Sequence, residues 1–311
     1  DVNALTGAAI AARKPAIEAL TAELIDAALA TTEMEVVHAL SGQLPARLTC
    51  QLLGFPETMW PEMKSWSERL MRIDMRERDG ATFTDFIDAN MEFVQALVPI
   101  AQERAGCPAH DLISTWVHAK IDDQPLPPAA IVHEVGLFIS GGAETTRTAI
   151  SHGLRAFVDH PEQWEAMAAD PSLVPAAVEE VLRWVTPLNN MFRRAGADTE
   201  VGGQAIGRGD RIIMLYPSAN RDEAVFDHPF TFDILRNPNP HIAFGGGGPH
   251  FCLGAALART MLRSLLTEVY TRIPDISAPE PDFQIANFPN GINSLPATWT
   301  PEKSGPAARK D

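Results

Sequence analysis

Apolar residues recur along most of the chain at the three- and four-residue spacing of a helix. In residues 8–30 they fall at Ile10, Ile17, Leu20, Leu24, Ile25, Ala28 and Leu29, one stripe of an amphipathic helix. Residues 34–54 and 85–105 carry the same period and predict two more helices. The polar turn Asp122-Asp123-Gln124-Pro125 precedes a long helix expected from about Pro128 to Asp159, which Pro161 stops. Shorter helical patterns follow at 162–169 and 174–184. The period then drops to two. Residues 192–215 alternate, with Gly202-Gly203 and Gly207-Arg208-Gly209-Asp210 as punctuation, and predict a β-hairpin. A Pro-rich irregular stretch covers 216–251, a further helix 253–272 and short strands 283–299. Residues 300–311 read as a polar, disordered tail. The expectation is one mainly α domain over 1–299 with a small β region and a long irregular segment before Cys252. A loop that long inside a compact domain is usually functional.

Composition narrows the class. The 311 residues are 45 % apolar and 21 % charged, as in ordinary globular proteins. A formal charge of −15 excludes a general nucleic-acid binder, which needs a basic face. No apolar run reaches the roughly 18 to 20 residues of a membrane span, and the opening shows no secretory pattern, so a cytoplasmic protein is expected. Three cysteines, Cys50, Cys107 and Cys252, form no disulfide framework. Cys50 sits in an apolar stretch and is expected in the core; Cys107 precedes Pro108 in a polar loop.

Cys252 has a different setting, Phe244-Gly-Gly-Gly-Gly-Pro249-His250-Phe251-Cys252-Leu253-Gly254. A phosphate loop would need a Gly-Lys-Ser/Thr ending, which is absent. A Cys–His catalytic pair is not established by His250 lying two residues away. A metal-bound thiolate accounts for the whole stretch. Glycines let backbone pass close to a large flat cofactor and turn N–H groups toward the sulfur, and the helix that starts after Cys252 favours a thiolate at its positive end.

The long helix carries Gly141-Gly142-Ala143-Glu144-Thr145-Thr146, and two adjacent mid-helix glycines cost about 1 kcal/mol each relative to Ala. Thr145 can compete for the Gly141 carbonyl four residues back and bend the helix, which opens a groove beside an acid and an alcohol. Close helix packing on the glycines explains the stretch as well. Glu180 and Arg183 share one helix face, a common arrangement that says little alone.

The cysteine stretch resembles the cysteine loop of the cytochrome P-450 family, where Phe, two glycines, Cys and Gly recur at these spacings, and the other two elements follow in that family's order. The resemblance implies the P-450 fold, with haem b held by Cys252 as axial ligand and lying against Phe244, Gly245, Gly254 and Gly142. It makes Thr145 the residue that holds bound oxygen and Glu144, where many members have Asp, part of a proton relay; such a pair implies dioxygen and electrons rather than peroxide. Glu180, Arg183 and Arg236 become a structural clamp on the cysteine loop. Arg193, or Arg194 if the register differs by one, and His250 are implied partners of the haem propionates. The implied substrate pocket comprises Leu137, Phe138 and Gly141, the turn Leu188, Asn189, Asn190 and Met191, and the C-terminal turn with Ile292 and Asn293. Its mostly apolar character suits a steroid, terpenoid or fatty acid, and the motifs look nearest to actinobacterial members acting on sterol side chains.

The opening of the chain resembles the family's stretch just after its third helix, so the fold is expected without its N-terminal part: a β-sheet, a substrate loop and a His/Arg pair for the propionates. Two functions follow. One is a monooxygenase that takes electrons from a ferredoxin- or flavodoxin-type donor with its NAD(P)H reductase and hydroxylates a small hydrophobic substrate with dioxygen. The other is a truncated haem-binding relative that senses or carries without turnover. The Glu144–Thr145 pair favours the first and the missing part the second.

Overall fold

The computed structural model describes residues 2–72 and 80–304. It opens with α1 (Gly7–Leu29), β1 (Glu33–Glu35), a π-helical turn (Val37–Ser41), α2 (Gln43–Leu53), α3 (Trp60–Met71), α4 (Ala81–Gly106) and α5 (Leu112–His118). A hairpin of β2 (Lys120–Ile121) and β3 (Gln124–Pro125) leads into α6 (Pro128–Ile139), which passes through a second π-helical turn (Ser140–Glu144) into α7 (Thr145–Asp159). Then come α8 (Pro161–Ala169), α9 (Val174–Val185), β4 (Asn190–Arg194), β5 (Thr199–Val201), β6 (Gln204–Ile206) and β7 (Arg211–Leu215). The short α10 (Tyr216–Ala219) precedes the irregular segment, and α11 (Ala255–Arg272), β8 (Asp282–Phe283), β9 (Ile292–Ser294) and β10 (Pro296–Thr298) complete the order. Of the expected tail, Pro301–Lys303 makes one 3₁₀ turn, and residues 305–311 lie outside the described residues.

Two apolar cores form because the helical stripes have two places to go. The α1 stripe, Ile17 to Ala28, packs with α7, α8, α9 and α11 into the larger core. The second gathers α2 to α6 around Trp66, Phe93 and Trp116. The α6–α7 rod serves both: Val135 and Ile139 enter the second core, and Ala149, Ile150 and Leu154 the first. Burying each such aliphatic side chain stabilises by about 1.5–3 kcal/mol relative to exposure.

Local expectations met tertiary constraints in three places. The helix expected over 34–54 begins instead as a strand, because β1 pairs antiparallel with β10, Met34 opposite Ala297. Three residues of exposed–buried alternation are too short to distinguish from a helical stripe, and the partner lies at the far end of the chain. The hairpin expected over 192–215 is nested: β4 pairs with β7, and β5 and β6 pair inside it across Gly202-Gly203, both at positive φ (57° and 79°) as a two-residue turn requires. Helices α3 and α5 have no counterpart in the sequence assignment. The first buries only the narrow stripe Met63, Trp66, Ser67 and Met71, and the second is two turns long, capped by Asp111 Oδ1 accepting from the Ser114 amide at 2.7 Å.

The irregular segment after α10 is held from α9. Glu180 and Arg183 are completely buried and paired at 2.7 and 2.8 Å. Arg183 donates onward to the carbonyls of Asn220, Pro229 and Thr231 at 2.8–3.0 Å. Glu180 accepts from the Asp233 amide, from Asn239 Nδ2 and from Arg236, whose other nitrogens donate to the carbonyls of Asp227, His228 and Thr231. Removing one partner leaves the other charge buried and uncompensated, at a cost of about 3–5 kcal/mol. Arg183→Ala is therefore expected to lower unfolding free energy by about that amount in denaturant melts, and Arg183→Lys, lacking the planar fork, to recover little of it.

Candidate active site

The cysteine loop closes on itself. The Cys252 amide donates to the Phe244 carbonyl at 2.9 Å, and the Gly245 amide to Ile242 at 2.8 Å. Gly245, Gly247 and Gly248 have φ of 92°, 104° and 77°, a region that strains any residue with a Cβ. The loop delivers Cys252 just ahead of α11, capped by Gly254. Dense surroundings push the Cys252 thiol up, while the Gly254 amide and the charge of Arg259 pull it down. Cys50 lies in the core, where burial pushes its thiol up to about 12, so it is inert.

Cys252 faces a cleft between this loop, α11 and the kinked rod. The lining is mainly apolar, with Leu182, Leu188, Met191, Phe244, Leu257 and Met261. Gly141, Gly142 and Thr145 line it from the rod, and Gly245, His250 and Gly254 from the loop side. Both readings of the glycine pair hold. A Cβ on Gly142 would meet Thr49 Oγ1 at 2.9 Å, so α2 requires that glycine, whereas a Cβ on Gly141 would meet nothing within 4 Å. Thr145 Oγ1 donates to the Gly141 carbonyl at 2.9 Å across the π-helical turn. Tyr216, Ala149, Pro187 and Ala258 also reach the cleft, and no spacing in the sequence marks them.

Other expected positions fall elsewhere. Glu144, adjacent to Thr145, is fully buried and does not line the cleft; its Oε1 pairs with Arg147, which also pairs with Glu68 at 2.8 Å. Burial pushes the Glu144 carboxyl above the usual range, Arg147 opposes this, and Oε2 has no partner among the described residues. Phe138 turns into the second core, edge-on to Trp116 at 5.3 Å, because α6 packs that face on α5. Leu137, a turn before Gly141 on the same side, is exposed. Asn189 and Asn190 spend their amides on the Pro289 and Asn287 carbonyls, tying β4 to the C-terminal turn. Ile292 is a core residue whose carbonyl accepts from Arg147. Asn293 lies in a separate polar cleft with Lys64, Glu68 and Arg147. Strand alternation puts Arg193 on the side of Met191, toward the cleft, although it is exposed and donates to the Phe192 carbonyl at 2.9 Å. Arg194 points the other way, onto the Gly209 carbonyl.

A flat macrocycle fits this cleft. The rod offers a floor without Cβ at Gly141, the walls are apolar, and one thiol faces in. Among the described residues no three His, Cys, Asp or Glu side chains gather for a metal ion; a porphyrin carries its own ring nitrogens and needs one protein thiolate. His250 lines the cleft, and Arg193 lies on the strand face that carries Met191.

This fold and site define a haem-thiolate protein, and the chain belongs to the cytochrome P450 family, whose model matches residues 48–272 and whose cofactor is haem b. It is similar to the methyl-branched lipid omega-hydroxylase of Mycobacterium tuberculosis, 37 % identical over 86 % of this chain and 63 % of that protein. The steroid C26-monooxygenase of Rhodococcus jostii is 38 % identical over 87 % of this chain and 56 % of its own length. A Mycobacterium marinum cytochrome P450 solved with pseudoionone superposes with a TM-score of 0.92 at 35 % identity, covering 96 % of this chain and 73 % of that one. The chain thus spans under two thirds of the length of both curated relatives. Among the described residues no helix is long and apolar enough to cross a membrane.

Two turns along α7 from Glu144, His152 is enclosed beside Arg147, with its Nε2 unpartnered among the described residues and its ring against Phe283. Burial lowers its pKa from 6.5 to about 4, despite a hydrogen bond to the Asn290 backbone. Between those values the unfolded state binds the extra proton, so stability falls as pH drops from 6.5 toward 4 and the loss is complete below 4. The full loss is up to about 3 kcal/mol. In urea melts at pH 7 and pH 5, His152→Gln is expected to lose less stability than the parent between the two pH values; equal losses would refute the assignment.

Proposed function

We propose that this chain is the catalytic core of a haem monooxygenase that hydroxylates a hydrophobic lipid- or steroid-class substrate with dioxygen. Electrons come from a ferredoxin- or flavodoxin-type donor and its NAD(P)H reductase. The observation that carries this is one apolar cleft shared by the Cys252 thiol and the Gly141–Thr145 kink. The names of the relatives, a lipid hydroxylase and a steroid monooxygenase, support the substrate class. When bound, haem supplies the reductive activation of dioxygen and the insertion of one oxygen atom into a C–H bond.

The residues divide the remaining work. Cys252 Sγ would ligate the metal as a thiolate, the Gly254 amide and Arg259 opposing the burial that raises the free thiol. His250 and Arg193 would hold the haem propionates. Leu188 and Met191 keep water out and contact the substrate. Thr145 commits its proton to the Gly141 carbonyl at rest, which leaves its oxygen free to accept a hydrogen bond on the cleft side. Glu144 holds a transferable proton at its unpartnered Oε2, one residue from the cleft, and a carboxyl raised by burial suits that task. A haem-binding sensor or carrier would use the same cleft without turnover. The short set of residues assigned to the propionates, His250 and Arg193, favours that reading in part; the Thr145–Gly141 kink beside the thiol weighs against it.

The reduced, CO-treated protein should show the absorption band of thiolate-bound haem and Cys252→Ala should lose it; a band that survives in Cys252→Ala refutes the ligand. Turnover with a steroid and fatty-acid panel separates enzyme from sensor. Glu144→Gln is expected to lower kcat on the order of 10²-fold with KM little changed. Thr145→Ala should consume NAD(P)H without matching product, and unchanged coupling would refute its role.

A further inference from the structure

Arg259 lies seven residues beyond Cys252, on the second turn of α11. Its guanidinium carbon sits 4.5 Å from the centroid of the Phe244 ring, a cation–π contact. Phe244 is the residue whose carbonyl accepts the Cys252 amide. Glu179 grips the guanidinium from α9, with Oε1 to Nε at 2.7 Å and Oε2 to the terminal nitrogen at 2.8 Å. Burial works against Glu179's charge, but His241 and Arg259 hold its carboxyl at about 2. His241 completes the group. Its Nδ1 accepts from the Ala243 amide at 3.3 Å, so Nε2 carries the proton and donates to Glu179 Oε2 at 3.0 Å. The His241 ring also lies 6.1 Å from that of Phe244. Glu180 and Arg183 already anchor the irregular segment from α9, yet this second ion pair stands one residue away from Glu180 and touches the cysteine loop instead.

We propose that Arg259 is a positioning and charge-setting residue for Cys252, with Glu179 fixing how much of its charge the sulfur feels. The proposal rests on the haem-thiolate reading above. Arg259 does two things at once. Stacked on Phe244, it pins the residue that hydrogen-bonds the ligand's amide. Its positive charge lies over the ring of the residue that bonds the ligand's amide, while Glu179 binds it in a bidentate pair. One-electron reduction adds a negative charge to the metal–thiolate unit, which a nearby cation stabilises and a nearby anion opposes. The two members of the pair therefore push the reduction equilibrium in opposite directions. A strut that merely joined α9 to α11 would have no such sign.

The test is a spectroelectrochemical titration of the haem-loaded protein, with thermal melting of each variant alongside. Arg259→Leu removes the cation and should lower the reduction equilibrium constant about tenfold, about 59 mV for one electron. Glu179→Gln leaves the cation unneutralised and should raise the constant. Arg259→Lys keeps the charge without the flat face and should fall between the parent and Arg259→Leu. If Arg259→Leu does not fold, Arg259→Gln is read in its place with the same expected sign. Shifts of the same sign in the Arg259 and Glu179 variants, or lowered melting temperatures with unmoved potentials, overturn the proposal. A parent without the thiolate band overturns the haem reading and this inference together, whereas a parent with the band and unmoved variants overturns this inference alone.

Discussion

Glu180 and Arg183 sit side by side on α9 with no access to water, and charges in that position are tolerable only when each of their hydrogen-bonding sites is used. The fold meets that condition by wrapping the irregular segment around them. Carbonyls from Asn220, Pro229 and Thr231 come to Arg183, and the Asp233 amide, Asn239 and Arg236 come to Glu180. Chain that lacks a helix or strand ladder of its own thereby acquires a fixed path. Cys252 stands at the end of that path, so the direction of its thiol depends on an ion pair some seventy residues earlier.

The α6–α7 rod settles the other side of the cleft. It belongs to both cores, and the π-helical turn at Ser140–Glu144 lies where one core hands over to the other. Gly142 admits α2 and Thr145 bonds back to Gly141, so packing and kinking cooperate at neighbouring residues. The turn also separates Glu144 from Thr145. The alcohol lines the apolar cleft, while the acid faces Arg147 and, through it, Glu68 and a polar cleft. An acid and an alcohol adjacent in sequence thus sit in two environments of opposite polarity, which keeps the carboxyl dry and its pKa high.

How much of this was legible depends on the range of the interaction. The helical stripes of α1, α4, α9 and α11 were readable because burial period is a property of neighbouring residues. The glycine loop was readable because left-handed φ values at Gly245, Gly247 and Gly248 demand glycine wherever the loop lies. The clamp and the cysteine loop were recognisable as motifs of a family. The pocket residues were less so. Phe138 and Ile292 look like pocket residues in sequence, yet each is taken by a core. Asn189 and Asn190 look like polar lining, yet they serve as ties between strands and turns.

By itself, then, the sequence determined the helical body, the hairpin turn at Gly202-Gly203, the special backbone around Cys252 and the thiol chemistry it can support. Tertiary structure alone decided that β1 is a strand, that Glu144 is buried against Arg147 rather than open to the cleft, and that Arg259 lies over Phe244 beside the ligand loop. The physical reason is the same in each case. Period, capping and φ are set within a few residues, whereas charge pairing, desolvation and the sharing of one cleft depend on side chains brought together from distant parts of the chain.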